Sequence, residues 1–520
     1  MFSHKVNISL CFLTIFTCFA TIANMADASR ILAITPMPYF SHQYFYRPVW
    51  RELANRGHEI VLITAAPMPG NLTNIKQIDI SFITKMLPRP GYTTDYIDQI
   101  EGYYELMLAM AEAQLSSPKV QQLIHNPKEH FDLVIVEFTC PVMFSFKKRF
   151  NTPLILVSPM DMLNYYYERT GSPSHELLYS FFREIQTEPG FLHRLKSFVT
   201  WAYEYWHIPS YFPRIDAVSK KFFGSDALAI EDALQQFDLT FTNVNMALQE
   251  VRPFSPAVIP MGGGMFLEEA KTQRMPRELQ QFLDQSHEGV IYISFGTYIQ
   301  TKSMSANTVW KLTEIFSSLP YKFLWKSEPL SADMLKSINK TGNVYITKWL
   351  PQPKVLEHKN VKLFITQGGI QSLEEAIVLK KPTIVLPFVA DQHPNANRIE
   401  QLHLGARLDI NTVTPRKLKQ TINKVLADKE ILKNLDKYSR ILQDQPLKPK
   451  DRAVWWIEYV IRNNGALHLR ARTLPWWQYL YIDVISFLAL IILAAVLICV
   501  KLIPIKDIFD HLQNTKLKSN

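Results

Sequence analysis

From Arg30 onward the chain alternates short apolar, β-branched runs with helical stretches. Ile31–Thr35, Glu59–Thr64, Leu133–Glu137 and Leu154–Val157 read as strands, with helices predicted over His42–Arg56 and Pro141–Phe150. Runs that are apolar on both faces, with helices between them, predict parallel strands joined by crossovers. The pattern then restarts. Val290–Phe295, Lys322–Trp325, Val344–Thr347, Leu363–Thr366 and Thr383–Pro387 read as the strands of a second unit. The break falls in the Pro- and Gly-rich stretch Arg252–Met265, so two α/β domains are expected, over residues 29–255 and 256–450.

The two ends follow other patterns. Lys5, the apolar Ile8–Ala23 and Ala26-Asp27-Ala28 have the order of a secretory signal peptide over residues 1–28. Val484–Val500 is an uncharged apolar run of 17 residues, preceded by Trp476, Trp477, Tyr479 and Tyr481 and followed by Lys501. With its flanking aromatics it reaches the roughly 20 residues that cross a bilayer, so residues 476–500 are predicted as a transmembrane helix and 501–520 as a cytosolic tail. The tail ends Lys516-Leu517-Lys518-Ser519-Asn520, which resembles the dilysine retrieval signal of endoplasmic-reticulum membrane proteins. The expected location is that membrane, single-pass type I, with the body lumenal. Asn71 and Asn339 begin glycosylation sequons in that body.

The chain of 520 residues, 47% apolar and 20% charged, is too apolar to be disordered throughout and too long for one core. Four cysteines exclude a disulfide scaffold, and only Cys140 falls between the signal and the span. The net charge of +9 is not gathered into a dense Lys/Arg run, so no nucleic acid partner is expected. Residues 161–225 carry 16 aromatics, about twice the density of the whole chain. Core packing, a pocket for a flat apolar ligand and a surface that dips into the membrane all stay open for them.

Candidate chemistry is concentrated in Leu363–Gln392. A strand runs into Gln367-Gly368-Gly369, and a helix starts near Gln371. Paired glycines let backbone N–H groups approach an anion, the helix N-terminus favours negative charge, and the Ser372 hydroxyl is placed to donate. The pattern predicts a diphosphate site without a P-loop. Trp349 and Gln352 lie upstream, Glu375 one turn into the helix, and Asp391-Gln392 after the next strand.

These residues, at these spacings, resemble the signature of the UDP-glycosyltransferase family in its membrane-bound animal form, and the resemblance covers nearly the whole chain. It implies a GT-B fold, α/β with two facing Rossmann-like domains and a C-terminal transmembrane helix. By the same resemblance Trp349 stacks on uracil, Gln352 bonds near the base or ribose, Glu375 accepts the ribose hydroxyls, and Asp391 and Gln392 hold the sugar. Ser294-Phe295-Gly296-Thr297 is similar to the family's phosphate-side turn. Many members have His where this chain has Gln367; a glutamine can donate to a phosphate oxygen but cannot become cationic. The glutamine form is most similar to insect members and to baculovirus ecdysteroid glucosyltransferases. A final helix near Asp451–Arg462, within residues 451–472, is expected to pack back on the first domain.

The resemblance also places a catalytic histidine in the first β–α turn, where this chain has His42. An imidazole there suits abstraction of a hydroxyl proton. The family's partner aspartate aligns with Glu137, one methylene longer, with Asp132 as the fallback. His58, in a tight turn at the opposite sheet edge, is expected to be structural. The activity implied is inverting transfer of a hexose, glucose by resemblance to insect members, from a UDP-sugar to a hydroxyl of a small lipophilic acceptor. A catalytically silent, membrane-anchored binder of apolar molecules is the alternative. No metal is expected, since neither a clustered ligand set nor H-E-x-x-H occurs, and no cofactor beyond the UDP-sugar co-substrate. A homo-oligomer stays open.

Overall fold

The computed structural model describes residues 28–86, 96–173, 190–297, 299, 301, 304–328, 330, 338, 342–465 and 474–502. The expected signal segment through residue 27, the sequon at Asn339 and the tail lysines lie outside them. A first unit ends at residue 468, and a separate one begins at 469.

In the first unit, β1 (Arg30–Thr35), β2 (Glu59–Thr64), β3 (Ile75–Asp79), β4 (Leu133–Glu137), β5 (Leu154–Ser158), β6 (Leu239–Thr242) and β7 (Val258–Pro260) form a seven-stranded sheet in the order β3-β2-β1-β4-β5-β6-β7. A six-stranded sheet follows. It contains β8 (Val290–Ser294), β9 (Lys322–Lys326), β10 (Val344–Thr347), β11 (Val361–Thr366), β12 (Thr383–Val385) and β13 (Gly405–Arg407), in the order β10-β9-β8-β11-β12-β13. Every pair is parallel. Both sheets are doubly wound, with the strand order reversing between β1 and β4 in one and between β8 and β11 in the other. Ligands of such sheets bind at the carboxyl ends of the strands beside that reversal.

Burial explains why the strands are apolar throughout. Leu32, Ile34, Val134 and Val136 face one core of the first sheet, and Ile31, Ala33, Leu133 and Ile135 face the other. β3, β6, β7 and β13 were not foreseen. β3 is a polar edge strand of sequence IKQID, and the others have three or four residues, too few for a pattern. Because β7 pairs with β6, the first sheet extends to Pro260, past the boundary expected at 255.

The helix predicted over His42–Arg56 is two helices, Phe40–Tyr44 and Arg47–Asn55. Pro48 lacks an N–H and cannot continue a helix from the preceding turn, but fits the start of the second. The helix Pro449–Arg462 buries Ala453, Val454, Ile457 and Val460 in the same cluster as Trp50 and Leu53 of the first half. His58 accepts a hydrogen bond from the Ser29 amide at 3.1 Å and contacts Glu458 of that helix at 3.5 Å. In the C-terminal unit, Ile482–Leu502 forms a helix long and apolar enough to cross a membrane.

A Cβ at Gly405 would stand 2.0 Å from the Thr383 carbonyl oxygen across the β12–β13 pair. Gly405→Ala is therefore expected to destabilise the protein by about 1–3 kcal/mol. A lowered thermal unfolding midpoint is the readout, and an unchanged one would contradict this packing.

Candidate active site

The Ile34–Val136 pairing sets the end of β1 beside Glu137, the last residue of β4. The turn after β1 carries His42 back over that edge on the short helix Phe40–Tyr44. His42 Nδ1 lies 2.6 Å from Glu137 Oε1, and the Thr139 hydroxyl donates to the same oxygen at 2.7 Å. Glu137 is fully buried and His42 nearly so. An ionised carboxylate only accepts, so it holds the proton on Nδ1 and leaves Nε2 as the basic nitrogen. The longer glutamate side chain thus reaches the imidazole, and Asp132 does not take this place: it accepts from the Arg30 amide at the far end of β1.

In the second sheet, Ser294 ends β8 and leads to Gly296, while β11 leads to Gln367-Gly368-Gly369. Gly296 has φ +73°, and a Cβ there would come within 2.4 Å of Gln367 Nε2, so the two turns touch only because it is glycine. Gly368, at φ +93°, packs as tightly on Val385. Gly369 is the N-cap of the helix Ile370–Val378 and has no side chain to cap it. The Ile370 amide at its start bonds the Asp391 carboxylate, and a helix N-terminus of this kind favours an anion. Gln367 is buried, and its carbonyl accepts from the Thr366 hydroxyl at 3.1 Å.

A cleft of about 490 Å³ joins the two sheet edges. His42, Gly296, Thr297, Trp349, Gln352, Gln367, Gly369, Ser372, Glu375, Asp391 and Gln392 line it, and Glu137, Ser294 and Gly368 lie behind the wall. Trp349 is half exposed. Gln352 donates to Glu375 Oε2 at 2.7 Å and to the Ser372 hydroxyl at 3.0 Å, while the Tyr292 hydroxyl donates to its carbonyl at 2.9 Å. Here Gln352 anchors Glu375, and Ser372 is an acceptor. Gln392 spends its carbonyl on the Phe388 and Val389 amides, which shapes the loop before it. Asn395 donates to Asp391 at 2.9 Å.

Burial dominates the charges. It pushes the Glu375 carboxyl up to about 7, opposed by the Gln352 amide and the Lys326 ammonium. It raises Asp391 to about 7, opposed by the Asn395 bond and the nearby His42 charge. It draws Lys326 down to about 8, opposed by Glu328 and Glu375.

The rest of the lining consists of residues that sequence reasoning did not assign to the site. Met37, Tyr39, Phe40, Tyr103, Leu106, Phe138, Met160 and Leu163 make an apolar wall around His42. Among the described residues none of the aromatics of 161–225 lines the cleft. Tyr165, Tyr166, Tyr167, Tyr211 and Phe222 are core, which settles the core reading for that part of the segment. Lys326 was missed. It donates to the Gly296 carbonyl at 2.8 Å and sits 5.3 Å over the Trp349 ring. Its position at the carboxyl end of a strand beside β8 was the signal that could have found it.

The halves meet around the cleft. Gln371 donates to the carbonyls of Ser41 at 3.0 Å and Pro159 at 3.2 Å. The Ala390 amide donates to Gln99 at 3.1 Å, and Phe40 packs on Trp349 with ring centroids 4.5 Å apart.

Two doubly wound sheets whose reversal points line one cleft define a GT-B glycosyltransferase fold. The "glycotransferase of kitacinnamycin" matches it with a TM-score of 0.58 and 19% identity, covering 84% of this chain and all of that one. A UDP-glucosyltransferase from Polygonum tinctorium matches with 0.55 and 14%, covering 84% and 99%. The model of the UDP-glucoronosyl and UDP-glucosyl transferase family matches residues 30–516, and the chain belongs to that family. It is similar to UDP-glucosyltransferase 2 of Dactylopius coccus, 29% identical over 98% of this chain and 99% of that one. An ecdysteroid UDP-glucosyltransferase of Lymantria dispar multicapsid nuclear polyhedrosis virus is 28% identical over 89% and 93%. Human UDP-glucuronosyltransferase 2B17 is 28% identical over 86% and 88%. The protein is thus a glycosyltransferase that uses a UDP-sugar.

The carboxylate band of Glu375, isolated as an infrared difference between wild type and Glu375→Gln, is expected to titrate near pH 7. It should move upward in Gln352→Ala, because the amide stabilises the charged form. A band already fully ionised at pH 5 would rule out the burial described.

Proposed function

We propose that the enzyme transfers a hexose, with inversion, to a hydroxyl of a small lipophilic acceptor. The observation that carries this reading is the His42–Glu137 contact beside an apolar wall. His42 Nε2 takes the acceptor proton, and the oxygen attacks the anomeric carbon as UDP leaves on the opposite side. Glu137 fixes the tautomer and stabilises the imidazolium. A passive binder has no use for such a pair.

On this reading the uracil lies against Trp349, Glu375 receives the ribose hydroxyls, and the diphosphate rests on the amides after Gly368-Gly369, near Gln367, Gly296 and Thr297. Asp391 and Gln392 hold the sugar. Donation from Gln367 and the helix N-terminus supports the leaving group in place of a charged side chain. The acceptor is apolar because the wall around His42 is.

The sugar is proposed to be glucose. Among the described residues lining the cleft, Lys326 is the one lysine or arginine, and it stands at the Trp349 end. Asp391 lines the cleft near His42. A glucuronate carboxylate there would meet an acidic group and no lysine or arginine. Names of relatives include both glucosyl and glucuronosyl transferases, so the choice rests on this charge pattern.

We propose further that the helix Ile482–Leu502 anchors the enzyme in the endoplasmic-reticulum membrane with the body lumenal. Asn71 is exposed, as a glycan there requires. Asn71→Gln should then remove one endoglycosidase-sensitive increment of mass from the expressed chain, and an unchanged mass would count against a lumenal body.

His42→Ala is expected to lower kcat by roughly 10²–10⁴-fold while UDP affinity, measured by calorimetry, is retained. Retained turnover would remove His42 from the role of base. With both donors offered to the purified enzyme, sugar from UDP-glucose should predominate in the product, and equal or greater use of UDP-glucuronate would overturn the donor assignment.

A further inference from the structure

The five-residue helix Phe40–Tyr44 sends three consecutive side chains to three different places. His42 turns to Glu137 of the first half. Gln43 ties the helix to the ends of β1 and β2. Its carbonyl accepts from the Thr35 and Thr64 hydroxyls at 2.6 Å each, and its amide donates to the Thr35 carbonyl at 2.8 Å and the Met37 carbonyl at 2.7 Å. Tyr44 leaves the first half altogether. It is buried in the apolar cluster of the second half, with Phe266, Ile370 and Leu373, and its hydroxyl accepts from Gln273 Nε2 at 3.0 Å. The Gln273 carbonyl oxygen is buried with no partner among the described residues, so the Tyr44 hydroxyl is that side chain's one described bond. Burial, with the Glu375 and Glu269 charges behind it, raises the Tyr44 hydroxyl well above its usual range, so it stays neutral.

We propose that Tyr44 is a positioning residue, whose bond to Gln273 sets the tilt of the helix that carries His42 and so the direction of His42 Nε2. This role rests on the proposed reading that His42 is the base. A helix of five residues has little stability of its own, so its orientation is decided by what ties it down. The His42 and Gln43 bonds all reach the first half and leave the helix free to tilt about the line they share. Tyr44 supplies a third point off that line. Phe40 also reaches across, to Trp349, but an aromatic contact tolerates sliding that a hydrogen bond does not. A misplacement of about 1 Å at a reacting group can cost about 100-fold in rate. Because the third point belongs to the second half, the base is aligned only while the two halves are together. Tyr44 and Gln273 also line the cleft, so direct contact with the nucleotide is the rival role.

The test compares two acceptors of similar shape in the full-length enzyme loaded with UDP-glucose, at a mildly alkaline pH. One is para-nitrobenzyl alcohol, which needs a base; the other is para-nitrophenol, already ionised, which does not. Tyr44→Phe keeps the ring and removes the hydroxyl. It is expected to lower the single-turnover rate roughly tenfold for the alcohol and much less for the phenolate, with UDP affinity by calorimetry unchanged. Gln273→Leu, at a half-buried site, should do the same, and the double variant should lose no more than either single one, since all three break one bond. Equal losses for the two acceptors, additive losses or no loss would overturn the positioning role. Weakened UDP binding would overturn it as well and make Tyr44 a nucleotide contact. His42→Ala separates this role from the reading beneath it. If His42→Ala slows both acceptors alike, the base assignment itself falls; if it slows the alcohol selectively and Tyr44→Phe does not, the role of Tyr44 alone falls.

Discussion

A carboxylate with no exposed surface needs partners, and His42 and Thr139 both bond one oxygen of Glu137, Oε1, while Oε2 is buried without one among the described residues. Removing one partner of such a buried pair costs roughly 3–5 kcal/mol, so fold and chemistry constrain each other here. The pair exists because β1 and β4, distant in sequence, are neighbours in a parallel sheet and end at the same level. Everything proposed for the acceptor side, from the tautomer of His42 to the direction of its free nitrogen, depends on that adjacency.

The donor side follows the same geometry with different groups. β8 and β11 are the second sheet's counterparts of β1 and β4, and the turns that follow them touch through Gly296 and Gln367. Around them Glu375, Asp391 and Lys326 are buried enough that each titrates near neutrality. On the proposed reading, hydroxyls of a bound sugar or ribose add hydrogen bonds to these buried groups, so substrate stabilises the site.

Contacts between the halves around the cleft include Gln371 with two carbonyls, Gln99 with one amide, Gln273 with the Tyr44 hydroxyl, and Phe40 with Trp349. Phe40 and His42 share one five-residue helix. The ring that touches the proposed base platform and the proposed base itself are therefore moved by the same piece of backbone. The helix Pro449–Arg462 adds an apolar clasp, returning the end of the body to the first sheet.

Much of this was legible in one dimension. Apolar runs at strand length fixed most of the strands and the two-domain division, because a strand covered on both faces has no polar positions to spare. Glycines at strand ends marked the second site, since glycine fits the positive φ and close approach found at Gly296 and Gly368. Other features had no linear signature. Short strands such as β13 exist only because a neighbour supplies their hydrogen bonds. Lys326 and Gln371 matter through what stands across from them, and the helix Phe191–His207, which exposes Phe191, Leu192 and Trp206, reads in sequence like any aromatic-rich core segment. Periodicity records that a residue has an apolar face; which way that face turns is decided by the packing of elements far apart in the chain.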